Sequence, residues 1–395
     1  MTLTCGRDIL ALPGPTTLPD EVLNASHRQP VDIYDGPLLE TTDSCLEDLR
    51  RVFRTKGKTY IYASNGHGGW EAALTNVLNR GDKILVLESG RFALGWGEMA
   101  DMLGIDVEVL PGAVRRAVDA EALEARLRND SEGAIKAILV VQVDTASGVY
   151  NDIARLRQAI DAAGHGALFM VDVIASLGTM PFEMDDWGVD IAVAGSQKGL
   201  MTPPGLALLA AGERAMAAHP SADLRTLYWD WTFRDGEEHY QKYCGTPPEQ
   251  LLFALRKALD LLFAEGLEAV FTRHRLLAGA VQRAVSVWAE GGAVDHNILK
   301  PEERSDSVTS IRLDPSYDPA DLRRYCKDVC GIVLGSGIGP LSGKGFRIAH
   351  MGHVGAPAVL ASLGGVEIAM QALGIPHGRG GVQAAIDWLA EQVPG

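Results

Sequence analysis

Short apolar runs alternate with longer amphipathic segments between about residues 58 and 210. The apolar runs have the length of β-strands, and the segments between them have the hydrophobic period of helices. Strands separated by helix-length segments are typical of a mostly parallel, doubly wound α/β sheet with helices on both faces. The predicted strands are Tyr60–Ala63, Lys83–Leu87, Val107–Leu110, Ala137–Gln142, Ala167–Val171, Ile191–Val193 and Leu206–Leu209, and the predicted helices are Gly69–Leu78, Ala93–Leu103, Asp119–Leu127 and Ile153–Ala163.

The pattern changes after Leu251–Val287, a stretch that predicts two long helices with a break near residues 265–267. Short strands then interleave with helices, which predicts a smaller C-terminal α+β domain. These strands are Val308–Leu313, Ile332–Leu334 and Gly345–Ala349, and these helices are Pro319–Val329 and Ala356–Leu373. The proline-rich run Pro13–Pro19 predicts an extended arm. We therefore predict an N-terminal arm over residues 1–20, a large domain over 21–275 and a small domain over 276–395.

Composition narrows the class of protein. A chain of 395 residues that is 47% hydrophobic is too long for one ordinary core. Its net charge of −15, without a block of lysine and arginine, argues against nucleic-acid binding. The N-terminus lacks the features of a signal peptide, and no apolar run approaches a membrane span of roughly 20 residues. We predict a cytoplasmic enzyme of small molecules, with neither nucleic acid nor membrane as partner.

The five cysteines are few, odd in number and mostly far apart, which argues against a disulfide framework. Cys326 and Cys330 lie one helical turn apart, but no second ligand pair with zinc spacing lies nearby. His350 and His353 are interpreted as packing or entrance residues rather than metal ligands, because two imidazoles without a carboxylate at ligand spacing are weak evidence. We predict no metal site.

Two charged residues occupy the ends of predicted strands. Asp172 follows an apolar run in which an unpaired carboxylate would be costly, so we expect a cationic partner for it. Lys198 lies between Gly195 and Gly199, shortly after the next strand. Pyridoxal phosphate requires such a pair, an amine for a Schiff base and a carboxylate for the pyridinium nitrogen. The alternatives are a helix cap for Asp172 and an ordinary solvated lysine for Lys198.

Three further segments could complete a cofactor site. The run Asn65–Glu71 follows a strand and opens a helix, so its backbone amides and the helix dipole predict an anion cradle. The alternative is a tight glycine turn or a Rossmann-like loop. Phe92, at a helix start, could stack on a flat ring or simply pack in the core. Thr145 and Ser147 offer hydroxyls for a ring hydroxyl or a phosphate, with turn capping as the alternative.

Arg347 lies in a strand-like stretch of the predicted small domain. Arginine is a natural bidentate partner for a substrate α-carboxylate, and a strand would hold its guanidinium in place. A structural salt bridge is the alternative.

These elements, in this order, resemble the class V aminotransferases of fold type I, most closely the serine-glyoxylate and alanine-glyoxylate group. The resemblance covers nearly the whole chain, and its strength comes from the joint occurrence of motifs that are each weak. The motifs are Pro13–Thr16, Gly66–Gly68, Thr145–Gly148, Asp172, Gly195–Gly199, Thr246–Pro248 and Phe346–Ile348.

The resemblance implies a pyridoxal 5'-phosphate site and a role for each matching residue. It implies Lys198 as the Schiff base lysine and Asp172 on the pyridine nitrogen. It implies a homodimer with shared active sites, because a tyrosine and a threonine of the neighbouring subunit complete the phosphate site in the family. The remaining implied residues are Ile174 beneath the ring, Phe92 above it, Gly66, His67, Gly68 and Gln197 around the phosphate, Thr16 and Arg347 at the substrate, and Tyr243 and Thr246 reaching the partner's phosphate.

Several positions depart from the family pattern. Many glyoxylate-using relatives carry Asp-His-Arg-Ser where this chain has Asp32–Asp35, and Thr17 replaces the usual asparagine. The run Asp144–Gly148 is closer to pyridoxamine-pyruvate aminotransferase, but that enzyme's additional arginine is Ile338 here, and its acidic phosphate-loop residue is His67. Free pyridoxamine is therefore disfavoured as a substrate, and the amino donor stays open.

We predict a transaminase that moves the amino group of a small amino acid, of the serine, alanine or aspartate type, to glyoxylate or pyruvate. A lyase or cysteine desulfurase would use the same cofactor but would turn over without an oxo acid. A dehydrogenase that uses NAD, or a noncatalytic nucleotide-binding module, is the alternative from another class. It lacks the expected glycine fingerprint and leaves Lys198 and Asp172 without a role.

Overall fold

The computed structural model describes residues 2–393 as an α/β protein built on two main sheets and a two-stranded hairpin. The predicted arm and small domain extend to chain ends, Met1 and residues 394–395, that lie outside this range. The strands are β1 Ile9–Ala11, β2 Lys58–Ala63, β3 Lys83–Leu87, β4 Asp106–Leu110, β5 Ile135–Val141, β6 Val143–Asp144, β7 Val149–Tyr150, β8 Leu168–Asp172, β9 Ile191–Gly195, β10 Leu206–Ala211, β11 Val294–His296, β12 Val308–Leu313, β13 Ile332–Ser336 and β14 Gly345–Ala349.

The α-helices surround these sheets. They are α1 Asp20–Ser26, α2 Pro37–Phe53, α3 Gly66–Thr75, α4 Arg91–Met102, α5 Ala120–Arg128, α6 Ile153–Ala163, α7 Glu213–Ala218, α8 Trp231–Arg234, α9 Glu249–Glu265, α10 Leu267–Ala289, α11 Pro319–Cys330, α12 Ala356–Ala372 and α13 Gly381–Gln392. No helix of residues 2–393 is long and apolar enough to cross a membrane.

The larger sheet has seven strands in the order β2-β10-β9-β8-β5-β3-β4. Its pairs are parallel from β9 through β4, and only β10 runs antiparallel to both of its neighbours. Strands β8, β9 and β10 are buried along their whole length, because helices cover both faces. The carboxyl ends of β5, β8 and β9 meet at one edge, which collects the polar residues that follow them.

The smaller sheet has five strands in the order β1-β13-β14-β12-β11. Its core combines both sheet residues and residues of α10, α11, α12 and α13, with the indole of Trp288 fully buried among them. Strand β1 comes from the N-terminal segment and pairs in parallel with β13. The N-terminus is therefore built into the sheet that carries Arg347 on β14.

Local signals in the sequence set several helix ends. The side chain of Asp152 accepts the Arg155 amide at the start of α6, and Gly164 ends that helix with φ +65°. Asp318 caps α11 in the same way, with Pro319 in its first turn and Gly331 in the left-handed region after its end.

The α/β prediction with a mostly parallel sheet is confirmed, and every predicted strand and helix lies on an observed element. Nine of the observed strands and α-helices were not predicted: β1, β6, β7, β11, α1, α2, α7, α8 and α13. Residues 9–11, which the predicted arm included, form a strand instead, because pairing with β13 supplies hydrogen bonds that no local pattern reveals. Helix α10 runs continuously across the predicted boundary at residue 275, and the division into domains stays a prediction.

Candidate active site

A cavity of about 270 Å³ opens at the carboxyl edge of the larger sheet. Its wall combines the start of α3, the start of α4 and the ends of β5, β8 and β9. Eight of the residues predicted for the site line it together: Gly66, His67, Phe92, Thr145, Asp172, Ile174, Gln197 and Lys198. The tertiary fold thus brings widely separated segments to one place, as expected for parallel strands.

Asp172 is buried at the end of β8, with 3% of its surface exposed. One carboxylate oxygen accepts the Ile174 amide at 2.7 Å, and the other accepts the indole N–H of Trp70 at 2.8 Å. No cation pairs with it at ion-pair distance within residues 2–393. Burial therefore raises the pKa of Asp172 to about 7, although the two hydrogen bonds favour the ionised form. The expected cationic partner is not supplied by the described part of the chain.

Lys198 follows β9 and points into the same cavity. Burial, and secondarily the nearby charge of Arg347, lower its pKa to about 8. Its ammonium group donates a hydrogen bond to the main-chain carbonyl of Pro13. A lysine with a lowered pKa is a better nucleophile and proton acceptor near neutral pH than a solvated one. Lys198 is not an ordinary surface lysine.

The predicted anion cradle at the start of α3 differs in detail from the prediction. Its backbone amides are not bare, because the Asn65 side chain accepts the amides of His67 at 3.1 Å and of Gly68 at 3.3 Å. Gly66 is required by the space, since a Cβ there would lie against the Ile174 side chain. Gly68 lies behind this turn against Ser64 and does not line the cavity.

Three aromatic rings form one wall of the cavity. The ring centroids of His67 and Trp70 are 4.5 Å apart, and Phe92 packs edge-on at 6.4 Å from Trp70. Burial, and secondarily Arg91, lower the pKa of His67, which favours its neutral form. Such a wall suits a flat ring, because aromatic faces and edges pack closely against π-systems.

Arg347 lies on β14, with 7% of its surface exposed. Its Nε donates to the Ser336 carbonyl at 2.7 Å, and one Nη donates to the Thr145 carbonyl at 2.9 Å. The salt bridge considered as an alternative is absent, since no carboxylate of residues 2–393 lies within ion-pair distance of Arg347. Burial lowers the pKa of this guanidinium to about 10. A buried arginine held by neutral carbonyls retains donors for an incoming carboxylate.

Six predicted site residues do not line this cavity: Gly68 and Arg347, described above, and Thr16, Ser147, Tyr243 and Thr246. Ser147 donates its hydroxyl to the Ser89 carbonyl at 2.9 Å, and the same hydroxyl accepts the Val149 amide at 3.3 Å, as the turn-capping alternative expected. Tyr243 is buried, with its hydroxyl 2.9 Å from that of Thr42, and Thr246 is exposed. Thr16 contacts the backbone of Lys198, donating its hydroxyl to the Lys198 carbonyl at 3.1 Å.

Two residues of the site were not predicted from the sequence. Trp70 holds Asp172 through its indole, and the aromatic residue in the first turn after a glycine loop was the available signal. Asp144 is fully buried and accepts the Phe92 amide at 2.9 Å, which fixes the start of α4 beside the cavity. Its position at the end of β6, just before Thr145, was the available signal.

The residues present fit pyridoxal phosphate. The side-chain oxygen of Gln197 is buried without a hydrogen-bond partner in the described chain, which indicates a missing polar group at this end of the cavity. Asp172 lacks a cation, Lys198 supplies an amine, and the aromatic wall suits a ring. The start of α3 faces the same space with the positive end of its dipole, which favours a phosphate.

Comparisons with known proteins agree with this chemistry. The family model described as aminotransferase class-V matches residues 22–344. The chain is 38% identical to a serine–glyoxylate aminotransferase of Methylorubrum extorquens, covering 98% of this chain and 97% of the relative. It is 37% identical to an L-aspartate–glyoxylate aminotransferase of Paracoccus denitrificans, with coverage of 95% and 94%. The crystal structure of pyridoxamine-pyruvate aminotransferase from Mesorhizobium loti superposes with a TM-score of 0.90 at 27% identity, covering all of both chains.

Proposed function

This chain belongs to the class V aminotransferases, and we propose that it moves an amino group from a small amino acid to glyoxylate or pyruvate. The protein is an aminotransferase that uses pyridoxal phosphate. The names of two relatives, serine–glyoxylate and L-aspartate–glyoxylate aminotransferase, support a small donor and a small 2-oxo acid acceptor. The observation that carries the proposal is that Lys198 and Asp172 line one cavity, while Arg347 is bonded to the carbonyl of Thr145 in the wall of that cavity.

Pyridoxal phosphate supplies the carbonyl to which an amine attaches and the ring that draws electrons from the substrate carbon. In the proposal, the amine of Lys198 would hold the cofactor, and its lowered pKa would suit it to accept and release a proton. Asp172 would hold the ring nitrogen as a carboxylate, because a cation beside it would offset the burial that raises its pKa.

The same cavity residues hold the cofactor in the proposal. Phe92 and Ile174 both line the cavity and would contact the two faces of the ring. Gly66, His67 and Gln197 would hold the phosphate, and Thr145 would bond the ring hydroxyl. Asn65 shares the amides of this turn, so the phosphate would compete with its side chain for them.

Arg347 is proposed to bind the substrate carboxylate. Its fixed guanidinium has no acidic partner within residues 2–393, and its burial strengthens attraction to a carboxylate. Thr16 is proposed to act beside the substrate through its contact with the Lys198 backbone.

A lyase or desulfurase finds less support. A cysteine desulfurase needs a reactive thiol at the substrate. None of the described cysteines lines the cavity, and burial raises the pKa of Cys326 to about 12 while its thiol contacts the Gly365 carbonyl.

The homodimer and the cytoplasmic location remain predictions. Tyr243 and Thr246 are proposed to complete the phosphate site of a partner subunit. The burial of Tyr243 within its own chain means that its hydroxyl would have to exchange Thr42 for the phosphate.

A donor and acceptor screen tests the proposed function. Purified protein loaded with pyridoxal phosphate is mixed with serine, alanine or aspartate alone, and the loss of cofactor absorbance is followed. Glyoxylate or pyruvate is then added, and recovery of the absorbance is expected. Turnover of the donor without any oxo acid would contradict transamination and favour a lyase.

The variant Arg347→Lys tests the carboxylate anchor. Lysine cannot make the bidentate contact, so KM for both substrates is expected to rise by about 10- to 100-fold. Arg312→Lys, on the adjacent strand β12, is the matched control and is expected to leave KM unchanged. Equal KM values in Arg347→Lys and the wild type would refute this role.

A further inference from the structure

The N-terminal segment crosses the active-site lysine on its way from the smaller sheet to the larger one. Strand β1 ends at Ala11 in the smaller sheet, and α1 begins at Asp20, packed against α9 of the larger sheet's helical layer. The residues between them form an irregular strap, which we define as Leu12–Pro19. The strap is therefore tied to both halves of the molecule.

Close contacts fix the strap on both sides of Gly14. The Pro13 ring packs on Gly335 of β13, where an added Cβ would lie 2.7 Å from Pro13 Cδ. Beyond Gly14, the Thr16 amide donates to the Gln197 carbonyl at 3.1 Å, and the Thr16 hydroxyl donates to the Lys198 carbonyl at 3.1 Å. The main-chain atoms at positions 13 and 14 thus have little freedom to move relative to Lys198.

The amine of Lys198 lies against this fixed stretch of main chain. The Pro13 carbonyl accepts its hydrogen bond, and it is the only acceptor of that amine among residues 2–393. Asp172 does not accept a hydrogen bond from this amine; its two oxygens accept the Ile174 amide and the Trp70 indole. Gly14 makes the approach sterically feasible: it has φ +103°, and a Cβ there would lie 2.5 Å from Lys198 Nζ.

We propose that the Pro13 carbonyl is the docking point for the Lys198 amine whenever that amine is not bonded to the cofactor, and that Gly14 is a positioning residue because it alone leaves room for this contact. The proposal rests on the proposed function of Lys198. In this proposal the strap orients the protonated amine, because the ammonium group of Lys198 has a single acceptor and therefore one preferred direction over the cavity.

The docking point also links the two sheets. Arg347 lies on β14 of the smaller sheet, and the strap directly follows β1 of the same sheet. An amine held by Pro13 is therefore placed by the same sheet that is proposed to hold the substrate carboxylate. The structure thus assigns to the smaller sheet a role in positioning the lysine as well as the substrate.

The test uses the full-length protein freed of cofactor, and it measures acetylation of Lys198 by peptide mass spectrometry across a pH series. The midpoint of that series reports the pKa of the amine, and Asp172 and Arg347 are the charged groups that face it. Gly14→Ala is expected to move the midpoint down by about one pH unit, because a cationic donor loses its acceptor. Shielding by the new methyl group alters the plateau rate but not the midpoint.

Gly6→Ala is the matched control. Gly6 also has a left-handed φ, +84°, but an added Cβ there meets nothing within 4 Å. A shift of the same size in Gly6→Ala would overturn the proposal, because backbone strain in the N-terminal segment would then explain it. An unshifted midpoint in Gly14→Ala would overturn it equally.

Pro13→Gly decides the matter if Gly14→Ala does not fold. It retains the carbonyl but removes the ring that packs on Gly335, so a smaller downward shift is expected, and an unshifted midpoint in this variant would refute the docking point. In the loaded enzyme, Gly14→Ala is also expected to slow the first half-reaction about 10-fold with unchanged cofactor content. A wild-type protein that binds no pyridoxal phosphate would instead sink the proposed function and leave the midpoint comparison intact.

Discussion

The larger sheet has one buried aspartate at each end, and the two differ in their bonding partners. Asp190 precedes β9 at the amino end and accepts the Phe169 amide at 2.7 Å and the Arg214 guanidinium at 3.1 Å. Asp172 ends β8 at the carboxyl end and accepts an amide and an indole, but no cation. Both are almost fully buried, and burial raises the pKa of both.

The presence or absence of a partner within the chain distinguishes charged residues that stabilise the fold from those that act at the site. The amino end satisfies its carboxylate with a partner from the same chain, as stable folds usually do. The carboxyl end keeps Asp172, Lys198 and Arg347 without opposite charges at ion-pair distance in residues 2–393. A site that leaves buried charges unpaired gains stability only when a ligand supplies the missing partners.

Lys198→Ala is the largest expected change to this comparison. Without the amine, pyridoxal phosphate has no covalent attachment, so borohydride should trap no cofactor on the protein, as measured by intact mass. Turnover of donor and acceptor is expected to fall by at least ~10³-fold. Lys56→Ala, an exposed lysine at the amino end, should retain both properties. Steady turnover by Lys198→Ala would contradict the proposed site.

Asp172→Asn should lower kcat by about 100-fold, because a neutral amide cannot hold a proton on the ring nitrogen. The measurement is single-turnover reaction with the best donor, together with the cofactor's absorbance spectrum. Asp190→Asn, at the opposite end of the sheet, is the matched control, and its rate should equal that of the wild type. Equal loss in both variants would mean that burial, rather than position at the cavity, explains the effect.

Asp190→Ala should have the opposite effect to the variants of the cavity residues: it should reduce the stability of the fold without affecting catalysis. The Phe169 amide and Arg214 would lose their acceptor, so the free energy of unfolding should fall by about 2 kcal/mol in urea denaturation. Asp186→Ala, an exposed neighbour, should show a change within about 0.5 kcal/mol. A reduced kcat/KM in folded Asp190→Ala would break the distinction between the two ends.

The pH dependence of stability sharpens the comparison further. The folded pKa of Asp172, about 7, lies above its usual 3.8, so its favourable contribution is complete at low pH and is lost as the pH rises through 7. From about pH 5 to 7, cofactor-free wild type should lose about 1.4 kcal/mol per pH unit relative to Asp172→Asn. If the difference in the free energy of unfolding between the two proteins stays constant from pH 5 to 7, Asp172 ionises with its usual pKa.

Trp70→Phe is the smallest expected change. It removes the indole donor of Asp172 but retains an aromatic ring at the cavity wall, so kcat should fall about fivefold, or roughly 1 kcal/mol. Trp96→Phe is the matched control, because Trp96 stacks on Trp70 and its own buried N–H has no partner in the described structure. A larger loss in Trp96→Phe would assign the effect to packing instead.

Sequence predicted the elements best where a pattern was long and periodic. Strand β3, helix α6 and strands β12 and β14 have the predicted bounds, since alternating apolar runs and caps determine them locally. Strand β1 was missed because its three residues gain their structure from a distant partner, β13. Helix α2 was missed although it buries Leu38, Leu49 and Phe53, because its polar residues lower its overall hydrophobicity.

The candidate site divides in the same way. Strand-end position indicated Asp172 and Lys198, because the carboxyl ends of parallel strands share one edge. The run Asn65–Glu71 predicted a cradle of backbone amides, whereas the Asn65 side chain caps α3 and accepts two of those amides itself. Ser147 was assigned to the site, but a nearer backbone carbonyl accepts its hydroxyl.

The sequence by itself determined the α/β fold, the family and the residues that carry the chemistry, because these depend on periodicity and on short motifs. Only the tertiary structure decided the hydrogen-bond partner of each charged group. Asp172 accepts from Trp70, Arg347 donates to main-chain carbonyls, and Lys198 donates to the Pro13 carbonyl. These contacts join residues far apart in the chain. Local sequence sets which groups exist, whereas packing sets their burial and their partners, and those two quantities determine a group's pKa and reactivity.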